Sequence, residues 1–230
     1  RRAPWSGRAS RRREYDLVWT VHFANASGHL DPFEAAIRAS VEKARLIGEQ
    51  AMPPVSLDLV VQNWPGRTIP ELGFMGYAPT GDMIQLTFDA ENDNLPKHLD
   101  DALVRTILHE LHHVHRWRGP GYGNTLGAAL LSEGLAGHFV KECVGSPPEQ
   151  WECAVDAPTL NAVLPRVRAE WALRHDHAEW FFGSGSLPNN LGYTLGYRIV
   201  GRHIARTERP ASRLVGLRPD DVPSFEEEFS

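Results

Sequence analysis

The ten residues from Leu108 to Trp117, LHELHHVHRW, contain an H-E-x-x-H motif formed by His109, Glu110 and His113. Residues four apart on a helix lie about 40° apart around the axis, so two imidazoles at this spacing can bind one metal ion. Glu110 lies beside the pair, where it could accept a proton from water whose pKa zinc lowers towards ~7. The motif predicts zinc-dependent hydrolysis with one Zn²⁺ per chain. A helix with several surface histidines is the alternative.

The pattern of the same helix separates its four histidines. An apolar stripe must face a core, and it consists of Leu103, Ile107, Leu111 and Val114. His109 and His113 fall on another side of the helix. We expect His112 and Arg116 to face water and His115 to pack at the edge of the core.

A third metal ligand is predicted in the next helix. Glu133 is the one carboxylate in the apolar stretch GAALLSEGLAGHF. An unpaired buried carboxylate is costly, and a bound cation would remove this cost. The nineteen residues between His113 and Glu133 allow a short loop and an antiparallel second helix. The alternative is a Glu133 that reaches solvent or pairs with an arginine.

These motifs together resemble those of known metallopeptidases. An H-E-x-x-H followed at this distance by a glutamate on a second helix is similar to the gluzincins. The segments ILHELHHVHR, LLSEGLAGHFV and LGYTLGYRIV resemble the bacterial domain-of-unknown-function 2268 family of predicted Zn-dependent proteases, over roughly residues 73–206. The resemblance implies a zincin-like fold and a peptide or protein substrate. It also implies His109, His113 and Glu133 as zinc ligands and Glu110 as the general base.

The segment LGYTLGYRIV supplies candidates for a further catalytic group. Attack on an amide creates an oxyanion, which a neutral donor usually helps to stabilise. Tyr193 and Tyr197 lie four apart on one side of the predicted helix. In aminopeptidase-like gluzincins this donor is a tyrosine followed two residues later by Lys-Gly. Tyr193 resembles that pattern, although Leu195 stands where lysine is usual. We therefore predict Tyr193, with Tyr197 as the alternative; a packing role for both stays open.

The elements that position these residues predict an α+β fold. A mixed α/β layer is expected in residues 15–95, with strands in YDLVWTVHFAN, PPVSLDLVVQNW and the hairpin GFMGYAPTGDMIQLTFDAEN. Asp31 is the predicted N-cap of the helix between the first two strands. Residues 96–210 form a helical half that carries the H-E-x-x-H and Glu133 helices. Its helices are expected near 99–117, 125–143, 159–174 and 191–206.

The strand MIQLTFDAEN lies just before the proposed zinc helix. It is expected either at the sheet edge, where it could hold a substrate strand, or inside the sheet. We expect residues 1–14 to be a disordered basic tail and residues 15–230 to form one zincin-like domain.

Composition excludes several classes of protein. Of the 230 residues, 42% are hydrophobic and 23% are charged, which is typical of a globular domain. The net charge of −5 argues against a nucleic-acid partner. No apolar run approaches the ~20 residues that span a bilayer. The alternative function is a zinc-binding regulatory or binding protein with little turnover on the same scaffold.

Cysteine usage bears on the compartment. Cys143 and Cys153 are expected as free thiols, with a disulfide in an oxidising compartment as the alternative. Because the sequence does not begin with Met, export stays open beside the cytoplasmic location that we expect.

Overall fold

The computed structural model describes residues 18–222, so the predicted basic tail at 1–14 lies outside the described residues. The described chain is α+β, with a four-stranded mixed sheet and seven α-helices. The elements in chain order are β1 Trp19–Ala24, α1 Glu34–Ala51, β2 Leu57–Asn63, β3 Phe74–Thr80, β4 Met83–Phe88, α2 Leu95–His98, α3 Asp101–Trp117, α4 Leu126–Val144, α5 Ala157–Glu170, α6 His177–Phe182 and α7 Leu191–Thr207. The predicted strands are confirmed, and the four helices predicted after residue 98 are α3, α4, α5 and α7.

The sheet has the strand order β1-β2-β4-β3. Strands β1, β2 and β4 are parallel, and β3 pairs antiparallel to β4. The strand MIQLTF is therefore an interior strand, the second of its two expected positions, and the expected edge position for it is wrong. A hairpin can join a sheet through either of its strands, and here β4 pairs with β2 while β3 takes the edge.

Helix α1 begins later than the sequence predicts. A 3₁₀ turn occupies Asp31–Phe33, and the α-helix starts at Glu34. Asp31 does not cap the helix; its carboxylate accepts a hydrogen bond from Asn25 Nδ2 at 2.7 Å. The predicted N-cap is wrong because the carboxylate is used to close the loop before the helix.

Helix α3 lies between the sheet and the other helices. Its apolar stripe is fully buried, as predicted. α3 contacts α1, α4, β3 and β4. With neighbours on several sides, α3 fixes where the H-E-x-x-H side chains lie relative to the sheet edge and to α4.

Helices α4 and α7 cross in close backbone contact. A Cβ added at Gly134 would lie 2.1 Å from the carbonyl oxygen of Gly196, and one added at Gly196 would lie 2.3 Å from that of Leu130. Only glycine allows this approach, which brings the start of α7 beside the middle of α4. Thr125 caps α4 by accepting a hydrogen bond from the Ala128 amide. Within residues 18–222, no helix combines the length and apolar character needed to cross a bilayer.

Both cysteines are free thiols, as predicted. Cys143 is half-buried near the end of α4, whereas Cys153 is exposed. Burial raises the pKa of the Cys143 thiol to about 12. Cys143 is therefore a neutral packing residue at physiological pH.

Candidate metal centre

Helices α3 and α4 bring together the side chains of His109, His113 and Glu133. The Nε2 atoms of His109 and His113 are 3.1 Å apart. Glu133 Oε2 lies 3.1 Å from Nε2 of His109, and Oε1 lies 3.5 Å from Nε2 of His113. All three potential ligand atoms lie within 4.8 Å of one another. Because His109 and His113 are four residues apart on α3, their rings project from the same side of the helix. Helix α4 supplies the carboxylate that faces them.

This cluster fits a tetrahedral zinc ion. Zinc with bonds of ~2.0–2.1 Å to nitrogen and oxygen needs ligand atoms roughly 3.3 Å apart. The two Nε2 atoms are 3.1 Å apart, and each lies 3.1–3.5 Å from a different oxygen of Glu133, so the cluster is close to this size before any metal is bound. Two histidines and one carboxylate are also a donor set that catalytic zinc sites use, with a fourth position left for water or substrate. The residues present could therefore hold zinc.

The electrostatics of the cluster favour a charged carboxylate. Burial opposes ionisation of Glu133, but His113 and His109 outweigh it and hold the pKa of the carboxyl well below its usual range. Burial likewise lowers the pKa of His109, yet the hydrogen bond to Glu133 and nearby carboxylates raise it to about 9. In the absence of a metal, a proton on His109 balances the buried charge of Glu133, and a bound cation would take the place of that proton.

Glu110 lies beside the cluster and under strand β3. Only 8% of its surface is exposed, and burial raises the pKa of its carboxyl. The backbone amide of Ala78 in β3 favours the ionised form. A Cβ added at Gly76 would lie 2.7 Å from Glu110 Cγ and 2.8 Å from Thr106 Cγ2. The absence of a side chain at Gly76 therefore lets the edge strand run directly over Glu110.

Tyr122 is a member of the site that sequence reasoning missed. It lies in the loop between α3 and α4, and its hydroxyl donates to Glu133 Oε1 at 2.6 Å. Its ring packs against His113 with centroids 5.4 Å apart. Burial, followed by the charge of Glu133, raises the pKa of Tyr122 well above its usual value, so it stays a neutral donor. One tyrosine in a glycine-rich loop carries no signal for this contact in the sequence.

The two tyrosines of α7 have different surroundings. Burial and the charges of Glu133 and Glu110 raise the pKa of Tyr193 well above its usual value, which places its hydroxyl in the field of the cluster. Tyr197 stacks on His138 with ring centroids 4.0 Å apart. Burial, together with the charge of Glu152, raises its pKa to about 12. Of the two candidates, Tyr193 is thus the one whose hydroxyl the carboxylates of the cluster influence.

An aromatic wall continues from Tyr193 along one side of the cluster. The ring of Phe181 meets Tyr193 edge-on at 4.9 Å and stacks on His177 at 4.3 Å. His177 in turn lies 6.4 Å from Tyr122. Asp176, one residue earlier, caps α6 by accepting hydrogen bonds from backbone amides. Helix α6 therefore lies beside the cluster through the rings of His177 and Phe181.

A third buried carboxylate, that of Glu152, lies on the α7 side of the cluster. It is 5% exposed and accepts a hydrogen bond from the Glu149 amide at 2.7 Å. Burial raises its pKa to about 7, against the attraction of His109. A Cβ added at Gly137, one turn after Glu133, would lie 1.9 Å from its Oε1 atom. Glu152 was also missed, because nothing in the sequence indicates that its loop folds back over α4.

Two expectations for the outer side of α3 are wrong. His112 is fully buried and packs on Phe139 of α4, with ring centroids 5.5 Å apart. Arg116 is 1% exposed because the segment after α7 covers it and accepts its hydrogen bonds. Both side chains lie on the polar side of α3, which the sequence assigned to water, but elements distant in the chain pack over that side. His115 is half-buried, as expected.

Comparison with known proteins agrees with this geometry. The sequence model of the family described as "Predicted Zn-dependent protease (DUF2268)" matches residues 33–223. The chain belongs to this family, whose description implies zinc dependence. No curated protein and no solved structure matches the chain significantly.

Proposed function

We propose that this member of the predicted Zn-dependent protease family hydrolyses peptide bonds at the α3–α4 cluster. His109, His113 and Glu133 would hold one zinc ion, and Glu110 would act as the general base. In this proposal the chain has a zincin-like fold of the gluzincin type.

One observation carries the proposal: potential ligand atoms of two histidines and one glutamate converge within 4.8 Å of one another, and the buried carboxylate of Glu110 lies beside them. A structural zinc site has four protein ligands and needs no base. Here, within residues 18–222, three groups converge, and Glu110 is kept close without joining them. This arrangement supports hydrolysis over simple metal storage.

The chemistry divides between the metal and the side chains. Zinc would supply a Lewis acid that polarises the substrate carbonyl and lowers the pKa of water. Glu110 would take the proton of the attacking water and pass it to the leaving amine. Its position under β3 keeps it out of bulk water, and burial raises the pKa of its carboxyl, which helps it to hold the proton that it would pass on.

Tyr193 would donate a hydrogen bond to the oxyanion. A phenol that remains protonated is required for this role, and the raised pKa of Tyr193 meets that requirement. The packing of Phe181 against its ring limits how far the hydroxyl can move.

The substrate would pair with the edge strand β3. The carbonyl of Phe74 accepts a hydrogen bond from Ile69, and that of Ala78 accepts one from Trp117 Nε1. Both hydrogen bonds form on the side of β3 that faces away from β4. Because backbone groups alternate in direction along a strand, the amide and the carbonyl of Gly76 also face this free edge. An extended peptide paired at Gly76 would run directly over Glu110.

The test is zinc content and hydrolysis measured on matched variants. Purified protein should contain about one zinc per chain by elemental mass spectrometry and should cleave members of a quenched-fluorescence peptide library. Glu110→Gln should keep the zinc and lose about 10²–10⁴-fold in kcat, the usual contribution of a general base.

The histidines of α3 provide the control. His109→Ala should lose zinc, whereas His115→Ala, a half-buried histidine on the same helix, should keep both zinc and activity. Full activity of Glu110→Gln would reject the assigned base. Equal zinc content in the two histidine variants would reject the assigned ligands.

A further inference from the structure

A cavity of about 300 Å³ lies between the α3–α4 loop, the end of α5 and the segment after α7. None of the three proposed zinc ligands lines it. Its volume is at the lower end of the ~300–1,000 Å³ that small-molecule pockets occupy. The cavity is therefore large enough for a small ligand and separate from the metal cluster.

Arg116 is part of the cavity wall, and its side chain is buried. Nε donates to Ser132 Oγ at 2.8 Å, and Nη1 donates to the carbonyls of Val215 at 2.9 Å and Leu217 at 3.2 Å. Nη2 has no hydrogen bond to any residue between 18 and 222, and no carboxylate in this range forms an ion pair with Arg116. A buried cation with only neutral partners is costly, and an anion beside it would offset that cost.

Arg116 is charged under physiological conditions. Burial lowers its pKa to about 10, which is still well above neutral pH. Its charge therefore remains in the cavity wall whether or not an anion is bound.

The other groups around the cavity add positive potential. The exposed Arg218 lies in its wall. Thr125, the N-cap of the 19-residue helix α4, also lines it, and a helix N-terminus carries partial positive charge. The first amides of α4 already donate to protein acceptors, so the helix contributes its field and not its donors. Asp220 is the one carboxylate in the lining.

The remaining lining suits a ligand with an organic body. Trp171 offers an aromatic ring, and Pro120 and Pro219 offer apolar surface. Asn124 adds an amide that can donate a hydrogen bond. The combination of one buried guanidinium, one exposed guanidinium and apolar walls is suited to an oxyanion group on a small molecule.

We propose that this cavity binds a small organic oxyanion, a phosphate or a carboxylate, with Arg116 Nη2 as its buried partner. The bound anion contacts the loop that also carries Tyr122. Ser132, which accepts from Arg116, donates to the carbonyl of Tyr122 at 2.9 Å, and the Tyr122 hydroxyl donates to Glu133. The site is thus connected to the metal cluster by hydrogen bonds, although its ligand does not touch the cluster.

The experiment is isothermal titration of the zinc-loaded full chain with inorganic phosphate and with acetate; acetamide is the neutral control. Saturable binding of phosphate or acetate is expected, and none of acetamide. Arg116→Met should abolish binding, but this variant also loses the bonds that hold the segment after α7 and can fail to fold.

Two exposed positions in the cavity wall keep the test independent of folding. Ala172→Asp adds a like charge and should weaken anion binding by at least about tenfold. Ala172→Asn adds a side chain of nearly the same size as aspartate but without its charge, and it should leave anion binding unchanged. Asp220→Asn removes the one lining carboxylate and should strengthen binding.

The outcomes separate this site from the metal cluster. Phosphate could also bind to zinc, and such binding would be the same in Ala172→Asp as in the unmodified chain. Unchanged binding in Ala172→Asp, or no saturable binding of either anion, would overturn the proposal. Neither result would affect the assignment of the zinc ligands, which rests on the histidine variants.

Discussion

Replacing Tyr122 by Phe should weaken zinc binding without unfolding the protein. The hydroxyl of Tyr122 donates to Oε1 of Glu133 at 2.6 Å, and this leaves Oε2 directed at His109. Tyr122→Phe keeps the ring that packs on His113 and removes only the donor. The carboxylate then loses the bond that fixes its rotation, and one of its buried oxygens loses a partner.

The magnitude follows from the kind of bond that is lost. A hydrogen bond to a charged group contributes ~1.5–3 kcal/mol, and each ~1.4 kcal/mol is a factor of ten in affinity. Removal of a residue that orients a metal ligand typically costs about 10–100-fold in metal affinity. Both considerations give a zinc Kd about 10–100 times higher for Tyr122→Phe.

The assay is competition for zinc against a fluorescent chelator at one neutral pH. Tyr193→Phe is the matched control, because it removes a hydroxyl that lies in the field of Glu133 but for which the structure shows no hydrogen bond to that carboxylate. Its zinc Kd should stay within about threefold of that of the unmodified chain. Circular dichroism should show the same folded content in both variants. A Kd for Tyr122→Phe equal to that of the control would refute the reasoning that Tyr122 orients a metal ligand.

Two further predictions concern α7. In Gly196→Ala the added Cβ would lie 2.3 Å from the Leu130 carbonyl oxygen, so α4 and α7 must separate. Overpacking costs ~1–3 kcal/mol, and the better helix propensity of alanine offsets part of this cost. We therefore expect the free energy of unfolding to fall by about 1–2 kcal/mol. Gly216→Ala, whose added Cβ meets nothing within 4 Å, should change the urea midpoint little; equal midpoints for the two variants would contradict the close crossing. Tyr193→Phe should lower kcat for peptide cleavage by about 10²–10³-fold with zinc still bound, the usual loss for one oxyanion donor. Tyr197→Phe should retain most activity, and the reverse order of the two variants would transfer the donor role to Tyr197.

The sequence predicted much of the candidate site because its signals are local. The spacing of His109 and His113 places two imidazoles on one side of any helix, whatever surrounds it. Glu133 stands out because a lone carboxylate in an apolar helix needs a partner. The structure places these three side chains together, as the sequence predicts. Strand and helix positions were also predictable, since they follow from periodicity and from turn residues.

The edge of the sheet could not be derived in this way. Alternation of polar and apolar residues shows which face of a strand is buried, but not which strand lies beside it. The pairing of β4 with β2 made β3 the edge strand. The proposed substrate position therefore moved from β4 to Gly76 in β3, over Glu110.

The sequence by itself determined the strands, the five longer helices and the set of residues that can bind a metal ion. Only the tertiary structure decided the surroundings of that set. Arg116 lies on the polar side of α3, yet its hydrogen-bond acceptor Val215 comes from 99 residues further along the chain. Tyr122 reaches Glu133 only because α4 returns beside α3. Helical periodicity reports the orientation of a side chain within its own element. Burial and partners depend on which distant segment packs over it, and that depends on the folding of the whole chain.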